Sequence, residues 1–275
     1  MKAFLYFDDL LNRRRYQQHI IFSSENPRVE NRVFCATGIG AKRPFATLIT
    51  DAIPDLNFFG PGTVPQWFAF YTYNEDGTNR RENITDWALE QFRSHYKDKS
   101  IAKWGIFYYV YAVLHHPLYR GRYAANLKRE LPRIPFTPDF RAFADINKRL
   151  AEIHVNYEQQ PEYPLEKIET PGKPLDWRVE KMRLGKDKRS LVYNDFLTLS
   201  GIPPEAFEYR LGNRSALEWI IDQYQVSTDK RSGITNDPNR SDDPEYITRL
   251  IGQVITVSLE TVKLVCSLAT FPILR

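Results

Sequence analysis

Residues 106–136, IFYYVYAVLHHPLYRGRYAANLKRELPRIPF, constrain the fold more than any other stretch of the chain. The first ten positions carry no charged side chain and include Phe107, Tyr108, Tyr109 and Tyr111, the composition of a helix buried among other elements. His115-His116-Pro117 should end that helix, because a proline ring disfavours α geometry in the residue before it. Beyond the break the character inverts: between positions 119 and 133, Arg120, Arg122, Lys128, Arg129 and Arg133 are opposed by Glu130 alone. The pattern reads as a buried aromatic helix feeding a cationic helix, with a Leu-Pro-Arg-Ile-Pro-Phe exit, and so as a rigid platform presenting positive charge.

The rest of the chain alternates between strand and helix signals. Up to about residue 82 the apolar runs are short: 3–7, 32–36, 45–50 and the aromatic 67–73, punctuated by Gly and Pro. From Asn83 the period becomes helical, with Ile84, Trp87, Ala88, Phe92, His95 and Tyr96 in register and Asn83 or Thr85 as N-cap. A later helix follows Pro138-Asp139, with Phe143, Asn147, Leu150, Ala151 and His154 on one face. Residues 157–210 turn extended again, with prolines marking a loop at 161–174 and candidate strands at 179–182, 191–193 and 196–199 around the basic turn RLGKDKR at 183–189. Between 173 and 189 the chain holds seven basic and three acidic side chains, a second cationic focus. Ser215 and Glu218 form a capping box, residues 228–243 read as loop, and Asp243-Pro244 signals a last helix with Ile247, Leu250, Ile251, Val254, Ile255, Val262 and Val265 on its buried side. The fold class is therefore α+β: a strand-rich part (1–82), an inserted helical block (83–156), a strand-rich part with the basic turn (157–210) and a C-terminal helical block (211–275), together one composite domain.

Several kinds of chemistry find no support. Neither Gly-Lys pair precedes Ser or Thr, which removes a P-loop, and no lysine has Asp or Glu two residues before it, which removes half of a common nuclease signature. The Pro203-Pro204 pair follows Ile202, so the N/D-P-P-Y/F motif of amino-methyltransferases is missing. Residues 38–42, GIGAK, lack a third glycine and read as a turn rather than a phosphate loop. Adjacent histidines at 115 and 116 diverge by about 100° on a helix and do not readily share a metal ion. With two cysteines, Cys35 and Cys266, there is no disulfide framework. The N-terminal MKAFLYFDDLLNRRR lacks the pattern of a secretory signal, and no uninterrupted apolar run reaches the roughly 20 residues of a membrane span. These features describe a cytoplasmic protein without catalytic residues or metal ligands of its own.

The 38 basic and 34 acidic side chains nearly cancel, so any electrostatic argument rests on the two clusters. Positive charge interleaved with aromatics suits nucleic acid, where Lys and Arg neutralise phosphates and Arg, Asn and Gln read groove edges. The competing reading of each cation is a solvated or salt-bridged surface charge.

Longer phrases then become recognisable. Residues 179–183 (VEKMR), 202–206 (IPPEA), 211–239 (LGNRSALEWIIDQYQVSTDKRSGITNDPN) and 254–261 (VITVSLET) resemble the C-terminal specificity domain of type ISP restriction–modification enzymes and related helicase-like bacterial proteins. Residues 36–55, with Leu48-Ile49-Thr50-Asp51, and 83–89, 107–117 and 127–136 look like the same family. The resemblance implies a target-recognition-domain-like fold that reads an asymmetric duplex-DNA site. It also implies neighbouring modules: a nuclease, a helicase-like ATPase and an adenine-N6 methyltransferase, which methylate the site or translocate and cleave. No cofactor is expected on this chain; S-adenosylmethionine, ATP and Mg belong to those modules. The implied partners are double-stranded DNA and the methyltransferase and ATPase modules, with no membrane. On this reading Lys128, Arg129 and Arg133, with Arg120 and Arg122, form one wall of a DNA cleft. Lys181, Arg183, Lys186, Lys188 and Arg189 form the other. Arg13, Arg14, Gln17, Asn213 and Arg214 are candidate base readers, although Asn213-Arg214-Ser215 also suits a helix cap with a structural salt bridge. The alternative is a helical docking module, with Trp87, Phe92, Tyr96 and the 247–265 helix as its interface and little DNA binding of its own.

Overall fold

The computed structural model describes residues 18–22, 31–54 and 58–273. The expected strand at 3–7 and the candidate readers Arg13, Arg14 and Gln17 lie outside the described residues. After a four-residue helix α1 (Gln18–Ile21), strands β1 (Val33–Ala36), β2 (Thr47–Thr50) and β3 (Gln66–Ala69) form an antiparallel sheet in the order β2-β1-β3. Alternation along a strand sends neighbours to opposite faces. Phe34 therefore joins an aromatic core while Val33 and Cys35 join a smaller one with Ala46 and Phe59, and all four β1 residues are buried. A short pair, β4 (Tyr71–Thr72) and β5 (Arg81–Glu82), leads into the helices.

Helix α2 (Asp86–Tyr96) begins where Thr85 accepts the Ala88 N–H at 3.2 Å and ends at Lys97 in the left-handed region. Phe92 and Tyr96 pack on Tyr109, Phe136 and Phe140, whereas Trp87 is 73% exposed. Helix α3 (Lys103–His115) buries nine of its thirteen residues; its one charged side chain, Lys103, sits at its start and pairs with Asp86 at 2.7 Å, and the uncharged stretch beyond it fills the core. It stops at His116, and Pro117 starts α4 (Pro117–Arg122). The cationic helix the sequence suggested is present but short. Helix α4 is six residues long, turns follow to residue 129, and the Leu-Pro-Arg-Ile-Pro-Phe exit has no regular secondary structure. Prolines 132 and 135 account for that, and α3 holds the result. The Tyr109 hydroxyl donates to the Pro135 carbonyl at 2.6 Å, and the Tyr119 hydroxyl of α4 donates to that of Arg133 at 2.8 Å.

Asp139 caps α5 (Phe140–Val155), accepting the Ala142 N–H at 3.0 Å, and Phe143, Asn147, Leu150, Ala151 and His154 are all buried against α3 and α7. The next part is a sheet of β6 (Glu166–Glu169), β7 (Arg183–Leu184), β8 (Ser190–Val192) and β9 (Leu197–Ser200) in the order β6-β9-β8-β7. Strand β6 falls where prolines suggested loop; its four residues are exposed, so no apolar pattern marks it. The strand expected at 179–182 is absent. Val179 is buried in irregular chain, its backbone N–H and carbonyl both bound by the Asn239 side chain at 2.8 and 2.9 Å.

A hairpin, β10 (Arg210–Leu211) and β11 (Arg214–Ser215), precedes α6 (Ala216–Gln223), where both halves of the Ser215–Glu218 capping box form. The expected loop after it contains a small hairpin, β12 (Ser227–Thr228) and β13 (Thr235–Asn236). Helix α7 (Tyr246–Ala269) starts later than the Asp243-Pro244 signal, because Asp243 accepts the Tyr246 N–H on its carbonyl and ion-pairs with Arg249 instead of capping. By length and composition α7 could cross a membrane. Here its apolar side is core: residues from Tyr246 to Val257 pack with the four-stranded sheet and α6, and Leu268 packs in the aromatic core under α3 and α5. One helix thus runs through both main cores of an α+β fold.

Candidate nucleic-acid interface

The first cationic focus sits on the turns after α4. Arg122, Lys128, Arg129 and Arg133 are exposed around buried Tyr119 and Leu127. Arg122 lies 5.9 Å from the Tyr123 ring, and Arg133 pairs with Glu130 at 2.8 Å. Arg120 differs from its neighbours. It is half-buried, and its guanidinium donates to the Phe45 carbonyl at 2.5 Å.

The second focus is the β7–β8 hairpin. Its turn closes through the Gly185 N–H to the Ser190 carbonyl at 2.8 Å and the Lys188 N–H to the Gly185 carbonyl at 2.9 Å. Lys188 takes φ of 55°, and Asp187 accepts the Arg189 N–H at 3.0 Å. This local bonding points Lys186, Lys188 and Arg189 outward, with Arg183 and Lys181 exposed beside them. Lys188 also reaches Glu218 at 3.3 Å; although burial opposes it, the Ser215 N–H and Lys188 hold that carboxyl below its usual range.

A bridge of loops connects the two foci. The Lys128 carbonyl accepts the Gly40 N–H at 2.9 Å, and the Gly38 N–H donates to the Thr63 carbonyl at 3.0 Å. Both glycine N–H groups are thus engaged by protein carbonyls, and GIGAK is a turn rather than a phosphate cradle. A side chain at Gly38 would place its Cβ 1.9 Å from the Val64 carbonyl oxygen. From that turn Arg43 donates to the Asn213 side-chain carbonyl at 2.5 Å. A Cβ at Gly60 would stand 3.1 Å from both Arg43 and the Trp219 ring, which defines how closely the 58–64 loop is clasped. Trp219 lies 5.1 Å from the Arg214 guanidinium, and Arg214 pairs with Asp222 at 2.5 Å. Asn213 and Arg214 are therefore both engaged inside the bridge, and Glu218 of the same helix holds Lys188. Sequence reading missed Arg43 and Trp219; the tight glycine spacing at 38 and 40 was the sole sign of a close approach there.

Arg122, Lys128, Arg129, Lys181, Arg183, Lys186 and Arg189 are all exposed, and among the described residues none forms an ion pair. Among the described residues no cluster of His, Cys, Asp or Glu could hold a metal.

The profile of the type ISP C-terminal specificity domain matches residues 1–250. The chain belongs to that family. Solved structures agree. The nuclease-deletion mutant of the type ISP restriction–modification enzyme LlaGI, in complex with a DNA substrate mimic, is 38% identical with a TM-score of 0.81, covering 98% of this chain and 24% of its own. DrdV in its DNA complex is 38% identical with a TM-score of 0.83, covering 95% of this chain and 27% of its own. The ATP-dependent type ISP enzyme LlaBIII bound to DNA is 34% identical with a TM-score of 0.82, covering 95% and 17%. The chain thus spans about a quarter or less of those proteins. No curated protein matches it. The fold and the specificity-domain family are settled together by these likenesses.

Proposed function

We propose that this specificity domain recognises a duplex-DNA target sequence and positions it for adenine-N6 methylation and ATP-dependent restriction by modules outside this chain. The observation that carries the reading is the set of seven exposed cations without acidic partners, divided between two turns that one bridge of loops holds together. Evolution of a merely soluble surface tends to intersperse opposite charges; unpaired cations beside rigid turns suit phosphates spaced along a duplex. Relatives of the same fold in complex with DNA support it. Lys128, Arg129 and Arg122 act as one wall, and Lys181, Arg183, Lys186 and Arg189 as the other. Arg133 and Lys188 join after exchanging a carboxylate for a phosphate. The chain carries no catalytic step and no cofactor; S-adenosylmethionine, ATP and Mg serve the partner modules, in the cytoplasm.

Binding of the purified chain to a duplex pool, measured from 50 to 200 mM salt, tests this. With roughly 6–10 phosphates contacted, affinity falls about 10³–10⁵-fold over that range. A flat salt dependence contradicts it. Trp87, exposed on α2, offers a docking point for a neighbouring module, but Phe92, Tyr96 and most of α7 are already committed to the interior.

A further inference from the structure

A half-open cleft of about 340 Å³ lies between β2, the α3–α4 corner, the approach to β10 and α7. Arg120 and Tyr209 line it, with His115, Thr261 and, at the exposed rim, Glu208 and Arg210. Arg120 is half-buried, and loss of water pulls its guanidinium below its ordinary pKa. It donates to the Phe45 carbonyl at 2.5 Å and lies 5.9 Å from the Phe45 ring; among the described residues no carboxylate pairs with it. Tyr209 is 7% exposed and stacks on His154, with ring centroids 5.2 Å apart and planes 13° apart. Its buried hydroxyl has no hydrogen-bond partner. Arg120 and Tyr209 lie within electrostatic reach of each other.

A desolvated cation without a counter-charge and a buried hydroxyl without an acceptor each cost free energy in isolation. One group relieves both: an acceptor-only anion. The Phe45 carbonyl occupies one of the five guanidinium N–H donors, and the remaining fork matches two oxygens of a phosphate or carboxylate. His115 is held neutral by burial, its pKa down at about 3, so Arg120 is the cation in the interior of the cleft, and the exposed rim carries one charge of each sign, Glu208 and Arg210. We propose that this cleft binds a small oxyanion, a phosphate or carboxylate group, through the Arg120 guanidinium and the Tyr209 hydroxyl. Such an anion ties α4 to the chain that leads into β10. The site is separate from the exposed cations assigned to DNA, so it stands whether or not that assignment does.

Thermal unfolding of the purified 275-residue chain, titrated separately with inorganic phosphate and with acetate at constant ionic strength, tests the proposal. The wild type should show a saturable rise in Tm with at least one anion, and the arm that responds identifies phosphate or carboxylate chemistry. Arg120→Gln should lose the response. Tyr209→Phe, which keeps the ring stack, should fold normally and bind about tenfold more weakly. If Arg120→Gln does not fold, Tyr209→Phe decides alone. No saturable response in either arm, or a Tyr209→Phe response equal to wild type, overturns the proposal.

Discussion

His154 shows how single residues bind the helices together. The Tyr111 hydroxyl accepts the Ile49 N–H at 3.2 Å, so its own proton goes to His154 Nδ1 at 2.7 Å. The other ring nitrogen, Nε2, then carries the hydrogen and donates to Thr261 at 2.9 Å. This neutral tautomer links α3, α5 and α7. Burial holds His154 well below its usual 6.5 and His115 down at about 3. In the unfolded chain both take up a proton below about pH 6.5, while the folded chain does not. Stability is therefore full above that pH and declines as pH falls, each group contributing about 1.4 kcal/mol per pH unit. Urea midpoints measured from pH 8 to 5 should drop below pH 6.5; constant midpoints across that range would refute the neutral assignment. Gly38 makes a separate prediction. Gly38→Ala drives a Cβ into the Val64 carbonyl, where backbone must shift, and should cost on the order of 2–3 kcal/mol in urea unfolding. A change under about 0.5 kcal/mol would show that the turn relaxes freely.

Elements differ in how far their residues announce them. Helices α2, α3 and α5 were legible because caps, prolines and 3.6-residue periodicity all depend on local chemistry: Thr85, Pro117 and Asp139 sit where the signals placed them. The capping box of α6 was legible for the same reason. Strand β6 was not, since an edge strand of exposed Glu, Lys and Ile is defined by its pairing with β9 and by nothing in its own composition. The strand expected at 179–182 failed because Asn239, sixty residues away, satisfies the backbone of Val179. The two cationic foci stood out as composition, but the bridge between them depends on Arg43 meeting Asn213 across 170 residues, which no local pattern encodes. The β7–β8 hairpin carries the element-scale prediction. Its turn is closed by backbone bonds, so Lys186→Gln with Arg189→Gln should leave folding intact. DNA affinity should weaken alike on all sequences, with the salt slope reduced by about 2. Unchanged affinity and slope would remove this hairpin from the interface.

At the scale of the molecule, α7 couples what would otherwise be two cores. Leu250 is buried among the sheet and α6, and Leu268 among α3 and α5. Leu250→Ala and Leu268→Ala should each cost about 2–5 kcal/mol. Because one helix serves both cores, both variants should lower a single calorimetric transition; two separated transitions would mean that the cores unfold independently. The same coupling holds the two basic turns in one fixed relation, as the proposed reading of one DNA shape and sequence requires, in contrast to general attraction to phosphate. Selection of bound sites by this chain from a random duplex library measures that most directly. The account predicts enrichment of one asymmetric sequence, whereas recovery of duplexes with no sequence preference would contradict it.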